Sequence, residues 1–149
     1  MTSDVIETIR VLVVEDNFVV ADALRYLIDG YRNFETTAVP TLERAFAALR
    51  TSAFDVAVLD INLNGVSVVP FAEHLDATGV PFVFLTGYDD DELLPEPLRA
   101  YTRFRKPVDA DPFIDSLRAT VAKRRNGGRG TTRKATGDSG PPSMRDVSC

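Results

Sequence analysis

DVAVLD, residues 55–60, is a short apolar run that ends in an acid, and it carries the clearest structural signal in the chain. Its hydrophobic residues are continuous rather than alternating, which is typical of a strand covered on both faces of a parallel sheet. VLVV at 11–14 and VPFVFLT at 80–86 have the same character. FETTAV at 34–39 and the stretch 101–105 add two shorter candidates, so the sequence predicts five strands.

Helical patterns separate these strands, at 17–30, 41–50, about 68–78 and about 111–125. Thr41 is a predicted N-cap and Gly79 a predicted left-handed C-cap. Asp111, followed by Pro112, is the predicted N-cap of the last helix. Five strands that alternate with about five helices predict an α/β fold, an open and doubly wound parallel sheet.

Two stretches depart from this regular pattern. Residues 88–100 contain Pro95 and Pro97, which remove backbone donors and clash inside a helix, so we predict that the fourth helix is short or irregular. After Arg125 the chain is rich in Gly, Ser, Thr, Arg and Pro, with too few apolar residues to offset the entropy of ordering. We therefore predict an N-terminal extension, one globular domain and a disordered basic tail, at 1–8, 9–125 and 126–149.

Composition and charge limit the classes of function. The net charge is −5, but residues 1–123 hold 11 Lys/Arg and 20 Asp/Glu, whereas residues 124–149 hold 6 and 2. An acidic body argues against direct binding of nucleic acid, which needs a concentrated basic face. The chain starts without a secretion signal and has no apolar run near the ~20 residues that span a bilayer, so we expect a cytoplasmic protein outside the membrane. A single cysteine, Cys149, and a single histidine, His74, exclude an intrachain disulfide and a multi-histidine metal site.

Chemically active residues stand at the ends of the predicted strands. In an open parallel sheet, ligands bind beyond the carboxyl ends of the strands. These ends carry a pair of acids, a single acid, a hydroxyl followed by glycine, and an ammonium group: Glu15 and Asp16, Asp60, Thr86 and Gly87, and Lys106. Each alone is a common capping, packing or turn residue, but their joint occurrence at successive strand ends predicts a functional site.

Three acids at one edge of a sheet need a cation. Two carboxylates about 4 Å apart repel by about 4 kcal/mol when the effective dielectric constant is about 20. Oxygen donors without a nearby His or Cys favour Mg²⁺. Beside such an ion Asp60 can act as a nucleophile on a phosphoryl donor. Lys106, the Thr86 hydroxyl and the Gly87 amide would then bind the phosphoryl oxygens.

The segments VLVVEDN, DVAVLDINLNG, FVFLTGY and RKPVD resemble the conserved blocks of CheY-like receiver domains of two-component response regulators. The similarity covers about residues 9–123, and the Phe-x-Thr-Gly strand end at 84–87 is similar to that of a stand-alone, single-domain subgroup. The resemblance implies a flavodoxin-like strand order 2-1-3-4-5. It also implies Glu15 and Asp16 as acidic metal-site residues, Asp60 as phosphoacceptor and Mg²⁺ ligand, Asn62 as a ligand through its backbone carbonyl, Thr86 as the switch hydroxyl and Lys106 as the phosphate-binding lysine.

Some residues depart from the pattern of the family. Many receivers carry an aromatic residue three positions before the lysine, and here that residue is Arg103, with Phe104 beside it. The usual coupling between threonine and a rotating ring therefore lacks its aromatic partner. The common proline shortly after the phosphoacceptor is missing from DINLNGVSVV, and Pro95 and Pro97 reshape a segment that usually belongs to the output face.

Tyr88 and Asn62 follow Thr86 and Asp60 by two residues each, at positions that flank the path of the hydrolytic water in similar proteins. We predict that the bulk of Tyr88 slows loss of the phosphoryl group. After removal of the donor, phosphorylated Tyr88→Ala protein should decay faster than the parent, and decay no faster than the parent would refute this prediction.

The resemblance implies a single-domain response regulator that receives a phosphoryl group from a histidine kinase or a histidine phosphotransfer protein. It would catalyse only its own phosphorylation and dephosphorylation, and signal by phosphorylation-dependent protein binding or phosphorelay. One alternative is a non-phosphorylated interaction module, which would tolerate loss of a site residue. Another is a Mg²⁺-dependent phosphohydrolase, but such enzymes generally use Asp-x-Asp, and here the amide of Asn62 replaces the general acid. The sequence specifies neither the downstream target nor the oligomeric state.

Overall fold

The computed structural model describes residues 7–87 and 95–130. These residues form seven strands, four α-helices and one 3-10 helix. In chain order the elements are β1 (Ile9–Val14), α1 (Phe18–Asp29), β2 (Phe34–Val39), α2 (Leu42–Thr51), β3 (Val56–Asp60), β4 (Asn62–Leu63), β5 (Val66–Ser67), α3 (Val69–Thr78), β6 (Phe82–Thr86), the 3-10 helix (Glu96–Ala100), β7 (Arg103–Arg105) and α4 (Ala110–Gly130). Within the described ranges, none of the helices combines the length and the apolar character that crossing a membrane requires.

Five of the strands form a parallel sheet in the order β2-β1-β3-β6-β7. Numbered within the sheet, this is the order 2-1-3-4-5, so the predicted flavodoxin-like, doubly wound fold is confirmed. Val14 of β1 is in register with Leu59 of β3, and Asp60 is in register with Leu85 of β6. The carboxyl ends of the central strands are therefore level and form one edge.

Side chains of the sheet alternate between two apolar layers. Leu12, Leu59 and Phe84 belong to a layer that also contains residues of α2 and α3. Val13 and Val58 belong to the opposite layer, which contains residues of α1 and α4. Each fully buried aliphatic or aromatic side chain contributes about 1.5–3 kcal/mol. Burial on both faces explains why the strands are continuously hydrophobic in sequence, and it makes the sheet a rigid support for its edge.

Predicted capping residues lie at the ends of two helices. The Thr41 hydroxyl accepts a hydrogen bond from the Arg44 amide at 3.2 Å, and Gly79 ends α3 with φ +83°. For the last helix the predicted start was wrong. The first hydrogen bond of α4 runs from the Phe113 amide to the Asp109 carbonyl, at 3.1 Å. Asp111 therefore lies in the first turn of the helix and is not its N-cap. An acid in the first turn still interacts favourably with the helix dipole.

The prediction of a short or irregular fourth helix is confirmed, since this element is a 3-10 helix of five residues that contains Pro97. Residues 88–94 lie outside the described residues. The described residues thus hold four α-helices where about five were predicted. The last helix continues past Arg125 to Gly130, so the predicted boundary between domain and tail falls inside this helix. The rest of the predicted tail, residues 131–149, lies outside the described residues.

A small antiparallel hairpin, β4–β5, follows β3 directly and was not predicted. Leu63 pairs with Val66 across a turn of two residues, Asn64 and Gly65. Both turn residues have positive φ, +57° and +83°, as a type I′ turn requires. The hairpin therefore fixes the path of the chain where it leaves Asp60.

Candidate functional site

The carboxyl edge of the sheet brings most of the predicted site residues together. Asp60 is the last residue of β3, and Thr86 is the last residue of β6. Glu15 follows β1 and continues its ladder, since its amide donates to the Val39 carbonyl at 3.1 Å. Lys106 follows β7 and is fixed by its amide, which donates to the Thr86 carbonyl at 2.9 Å.

Asp60 is buried at the centre of this edge, with a relative exposure of 1%. The backbone amide of Asn62 donates to its Oδ1 atom at 3.1 Å. Lys106 Nζ lies 3.4 Å from the same oxygen. The carboxyl group thus lies between the Asn62 amide, which belongs to the segment after β3, and the ammonium group of Lys106, which follows β7.

Glu15 is equally buried, and both of its oxygens have partners. Oε1 lies 3.1 Å from Lys106 Nζ, and Oε2 accepts a hydrogen bond from the Asn17 amide at 3.0 Å. Asn17 in turn caps α1, since its side chain accepts a hydrogen bond from the Val20 amide at 3.0 Å. The loop after β1 therefore fixes Glu15, and Glu15 holds Lys106 near Asp60.

Lys106 is a cation shared between two carboxylates. Burial lowers the pKa of its ammonium group, but the Asp60 and Glu15 carboxylates raise that pKa by more, so it lies above its ordinary value. Lys106 thus stays protonated in the site. Its side chain is 24% exposed, which leaves part of it accessible to a ligand that enters from solvent.

Glu15, Asp16 and Asp60 each offer a carboxylate oxygen, and these oxygens lie within 4.8 Å of one another. Burial, followed by the neighbouring Glu15 carboxylate, raises the pKa of Asp60 from 3.8 to about 7, against the opposing effects of Lys106 and the Asn62 amide. One ammonium group is therefore too little positive charge for this cluster of acids.

The raised pKa of Asp60 predicts how stability depends on pH when divalent ions are removed by EDTA. The folded state holds this proton more tightly than the unfolded state, so the contribution is complete below about pH 4 and is lost as the pH rises through about 7. Asp60→Asn removes the titration. In urea unfolding, the advantage of the variant over the parent should grow by on the order of 3 kcal/mol between about pH 4 and about pH 8. An advantage that does not change with pH would contradict the prediction.

Thr86 is buried, with a relative exposure of 3%, and shares its face of β6 with Phe84. Gly87 follows it directly and belongs to the described residues. Tyr88 lies outside them, so its effect on dephosphorylation stays a prediction. The structure thus places Thr86 and Gly87 at the edge that carries Asp60 and Lys106.

The residues predicted to modulate the switch lie on the edge strand β7. Arg103 is exposed, and it is in register with Phe84 of β6. Phe104 points to the opposite layer, where its ring packs edge-on against Phe113 at 5.1 Å. Tyr101, two residues before Arg103, stacks on Phe82 with ring centroids 4.8 Å apart. The ring of Tyr101 therefore packs on the face of β6 that carries Phe82, Phe84 and Thr86. In sequence it lies two positions before Arg103, where many receivers carry their aromatic residue.

The doubly wound sheet has the strand order of CheY, 2-1-3-4-5, and a buried aspartate, an acid pair and a lysine meet at its carboxyl edge. The chain matches the family model described as the response regulator receiver domain over residues 11–118. It belongs to this family, in which phosphorylation of an aspartate is typical, and it is a receiver domain of a two-component response regulator.

Several known proteins are similar to the chain. The sensory transduction protein RegX3 of Mycobacterium tuberculosis is 32% identical over 139 residues, which cover 90% of this chain and 60% of RegX3. The sensory transduction protein LytT of Bacillus subtilis is 28% identical over 113 residues, 74% of this chain and 47% of LytT. The chain thus spans only about half to three fifths of the length of these relatives.

Solved structures show the same fold. The solution structure of SdrG from Sphingomonas melonis Fr1 has a TM-score of 0.67 at 30% identity, and the match covers 77% of this chain and 97% of SdrG. A CheY-like receiver domain from Methylobacillus flagellatus has a TM-score of 0.61 at 22% identity, over 74% of this chain and 99% of that one. The second likeness concerns the fold alone.

Proposed function

We propose that the protein is a phosphorylation switch in which Asp60 accepts a phosphoryl group from a histidine kinase or a histidine phosphotransfer protein. One observation carries this proposal. The Asp60 carboxylate is buried at the end of the central strand, and Lys106 Nζ lies 3.4 Å from it. A nucleophile with a neighbouring cation that can bind phosphoryl oxygens is the arrangement that phosphoryl transfer requires.

In the proposed reaction an oxygen of Asp60 forms a bond to phosphorus. The bond between phosphorus and the donor atom breaks at the same centre, and its electron pair leaves with the donor, a histidine nitrogen or the acetate oxygen of acetyl phosphate. Lys106, the Thr86 hydroxyl and the Gly87 amide would bind the phosphoryl oxygens, on which negative charge is spread in the transition state. The protein would thus catalyse only its own phosphorylation and dephosphorylation.

The donor set fits Mg²⁺, because the acidic cluster offers oxygen atoms alone and carries excess negative charge. We propose that Asp16, Asp60 and the backbone carbonyl of Asn62 would hold the ion. Glu15 would add its charge and keep Lys106 in place, since its two oxygens already contact Lys106 and the Asn17 amide. When bound, the ion supplies positive charge to the phosphoryl oxygens.

Phosphorylation would add about −1.5 to −2 charge at this edge and shift the equilibrium of the surrounding loops. Thr86 would respond first, because it is buried at the same edge of the sheet as Asp60. We propose that the signal then passes through protein contacts or phosphorelay, with Arg103, Phe104 and Tyr88 as modulating residues. Asn62 does not suit the role of a general acid, because it is an amide and its Oδ1 atom accepts a hydrogen bond from the Gly65 amide at 3.2 Å.

The test is incubation of the protein with acetyl phosphate, with Mg²⁺ or with EDTA, followed by mass spectrometry of the intact chain and of its peptides. A single phosphate on Asp60 that depends on Mg²⁺ supports the proposal. No incorporation would identify an interaction module that is not phosphorylated. Continuous release of phosphate from small phosphoesters, over many turnovers, would identify a phosphohydrolase instead.

A further inference from the structure

We infer that the β4–β5 hairpin positions the Asn62 carbonyl for the metal ion, and that Gly65 is the residue on which this positioning depends. The inference rests on the proposed function, because it assigns a role to residues beside the phosphorylation site. Gly65 is a positioning residue, since it would act through Asn62 and not touch the ion.

The hairpin constrains the backbone that follows Asp60. Asn64 and Gly65 form a turn with φ +57° and +83°, which closes the pair between Leu63 and Val66. Such turns fix the register of the strands that they join. The two-residue turn thus holds the backbone that follows Asp60.

Asn62 forms one hydrogen bond through its backbone and one through its side chain. Its amide donates to Asp60 Oδ1 at 3.1 Å, and its side-chain oxygen accepts a hydrogen bond from the Gly65 amide at 3.2 Å. The next residue, Leu63, is 3% exposed and belongs to the apolar layer on that face of the sheet. Gly65 is therefore linked to the phosphoacceptor through a single residue, Asn62.

Mg²⁺ is sensitive to such positioning. It demands near-ideal octahedral geometry at about 2.1 Å, so a ligand carbonyl that is displaced or mobile binds it poorly. Groups that orient the ligands of a metal typically change its affinity by about 10–100-fold when they are removed. A loss of the turn at Gly65 should consequently appear as weaker binding of Mg²⁺.

The chain offers a matched control in Gly79. Gly65 and Gly79 both have φ +83°, and a methyl group added at either position would meet no atom within 4 Å. Alanine therefore imposes the same left-handed backbone strain at both sites and causes no clash at either. Gly79 ends α3 and leads into the amino end of β6, the opposite edge of the sheet from Asp60. Of these two glycines, Gly65 is the one whose amide donates a hydrogen bond to Asn62.

The experiment compares wild type, Gly65→Ala, Gly79→Ala and Gly65→Asn. Affinity for Mg²⁺ is measured by isothermal titration, and unfolding in urea with EDTA is measured separately. Both alanine variants should unfold at lower urea concentration than wild type. Only Gly65→Ala should bind Mg²⁺ more weakly, by on the order of 10-fold. Gly65→Asn should recover most of the affinity, because asparagine tolerates the left-handed region.

Equal affinity of Gly65→Ala and Gly79→Ala would overturn the inference and leave the proposed function intact. So would a loss of affinity in Gly65→Ala that Gly65→Asn does not recover at all. If wild type itself fails to bind Mg²⁺, the proposed function fails first, and the inference fails with it. The two failures are therefore distinguishable from one set of titrations.

Discussion

Asp60→Asn should incorporate no phosphate from acetyl phosphate under conditions that label the wild-type chain. The amide keeps the size of the carboxyl group and can still accept the hydrogen bond of the Asn62 amide. It cannot form a stable bond to phosphorus, because an amide oxygen is a poor nucleophile and no acyl phosphate results. The loss should be complete within the limit of detection, which makes this the largest effect that we expect.

A matched control distinguishes loss of the phosphoacceptor from loss of one negative charge. Asp76→Asn makes the same change at an exposed position on α3 and should be labelled as well as wild type. Mass spectrometry of the intact chain, with a wild-type sample that contains EDTA, measures all of these reactions. Labelling of Asp60→Asn to the level of Asp76→Asn would show that the acceptor is another residue.

Lys106→Met should lower the rate of phosphorylation by about 10²–10³-fold, the usual effect of removing one group that stabilises transition-state charge. The ammonium group lies 3.4 Å from Asp60 and 3.1 Å from Glu15, so it offsets part of the charge of the acids and, in the proposed reaction, would contact the incoming phosphoryl group. Methionine keeps the apolar stem of the side chain but removes this charge. Initial rates of phosphate incorporation at saturating Mg²⁺ provide the measurement.

Two further variants define the origin of this effect. Lys123→Met removes a lysine from an exposed position of α4 and should keep the wild-type rate. Lys106→Arg retains the charge in a different shape and should fall between wild type and Lys106→Met. A Lys106→Met rate within about twofold of wild type would contradict a role for Lys106 in transition-state stabilisation.

The sheet and its edge could be predicted from the sequence because both depend on local patterns. Continuous apolar runs occur in strands that are covered on both faces, and the residues that end those runs must meet at one edge once the sheet is parallel. Asp60, Thr86 and Lys106 were therefore placed together without any long-range information. Thr41 and Gly79 were predictable for a similar reason, since capping depends on a single residue type.

The remaining features depend on contacts between distant parts of the chain. No pattern links Glu15 to Lys106, 91 residues later, although the two side chains form the ion pair at the centre of the site. Tyr101 and Phe82 are likewise joined only by packing. The hairpin after Asp60 did have a local signal, the pair Asn64-Gly65, which is the preferred sequence of a two-residue turn, but its strands have only two residues each.

The charges at the edge of the sheet also determine the net charge of the site with and without a bound cation. Three carboxylates and one ammonium group leave two negative charges without compensation when all the acids are ionised. A single divalent cation would make this site neutral, whereas a monovalent cation would leave it negative and a trivalent one would make it positive. Besides its proposed contact with a phosphoryl group, Lys106 would therefore lower the negative charge that a bound cation has to balance from three to two.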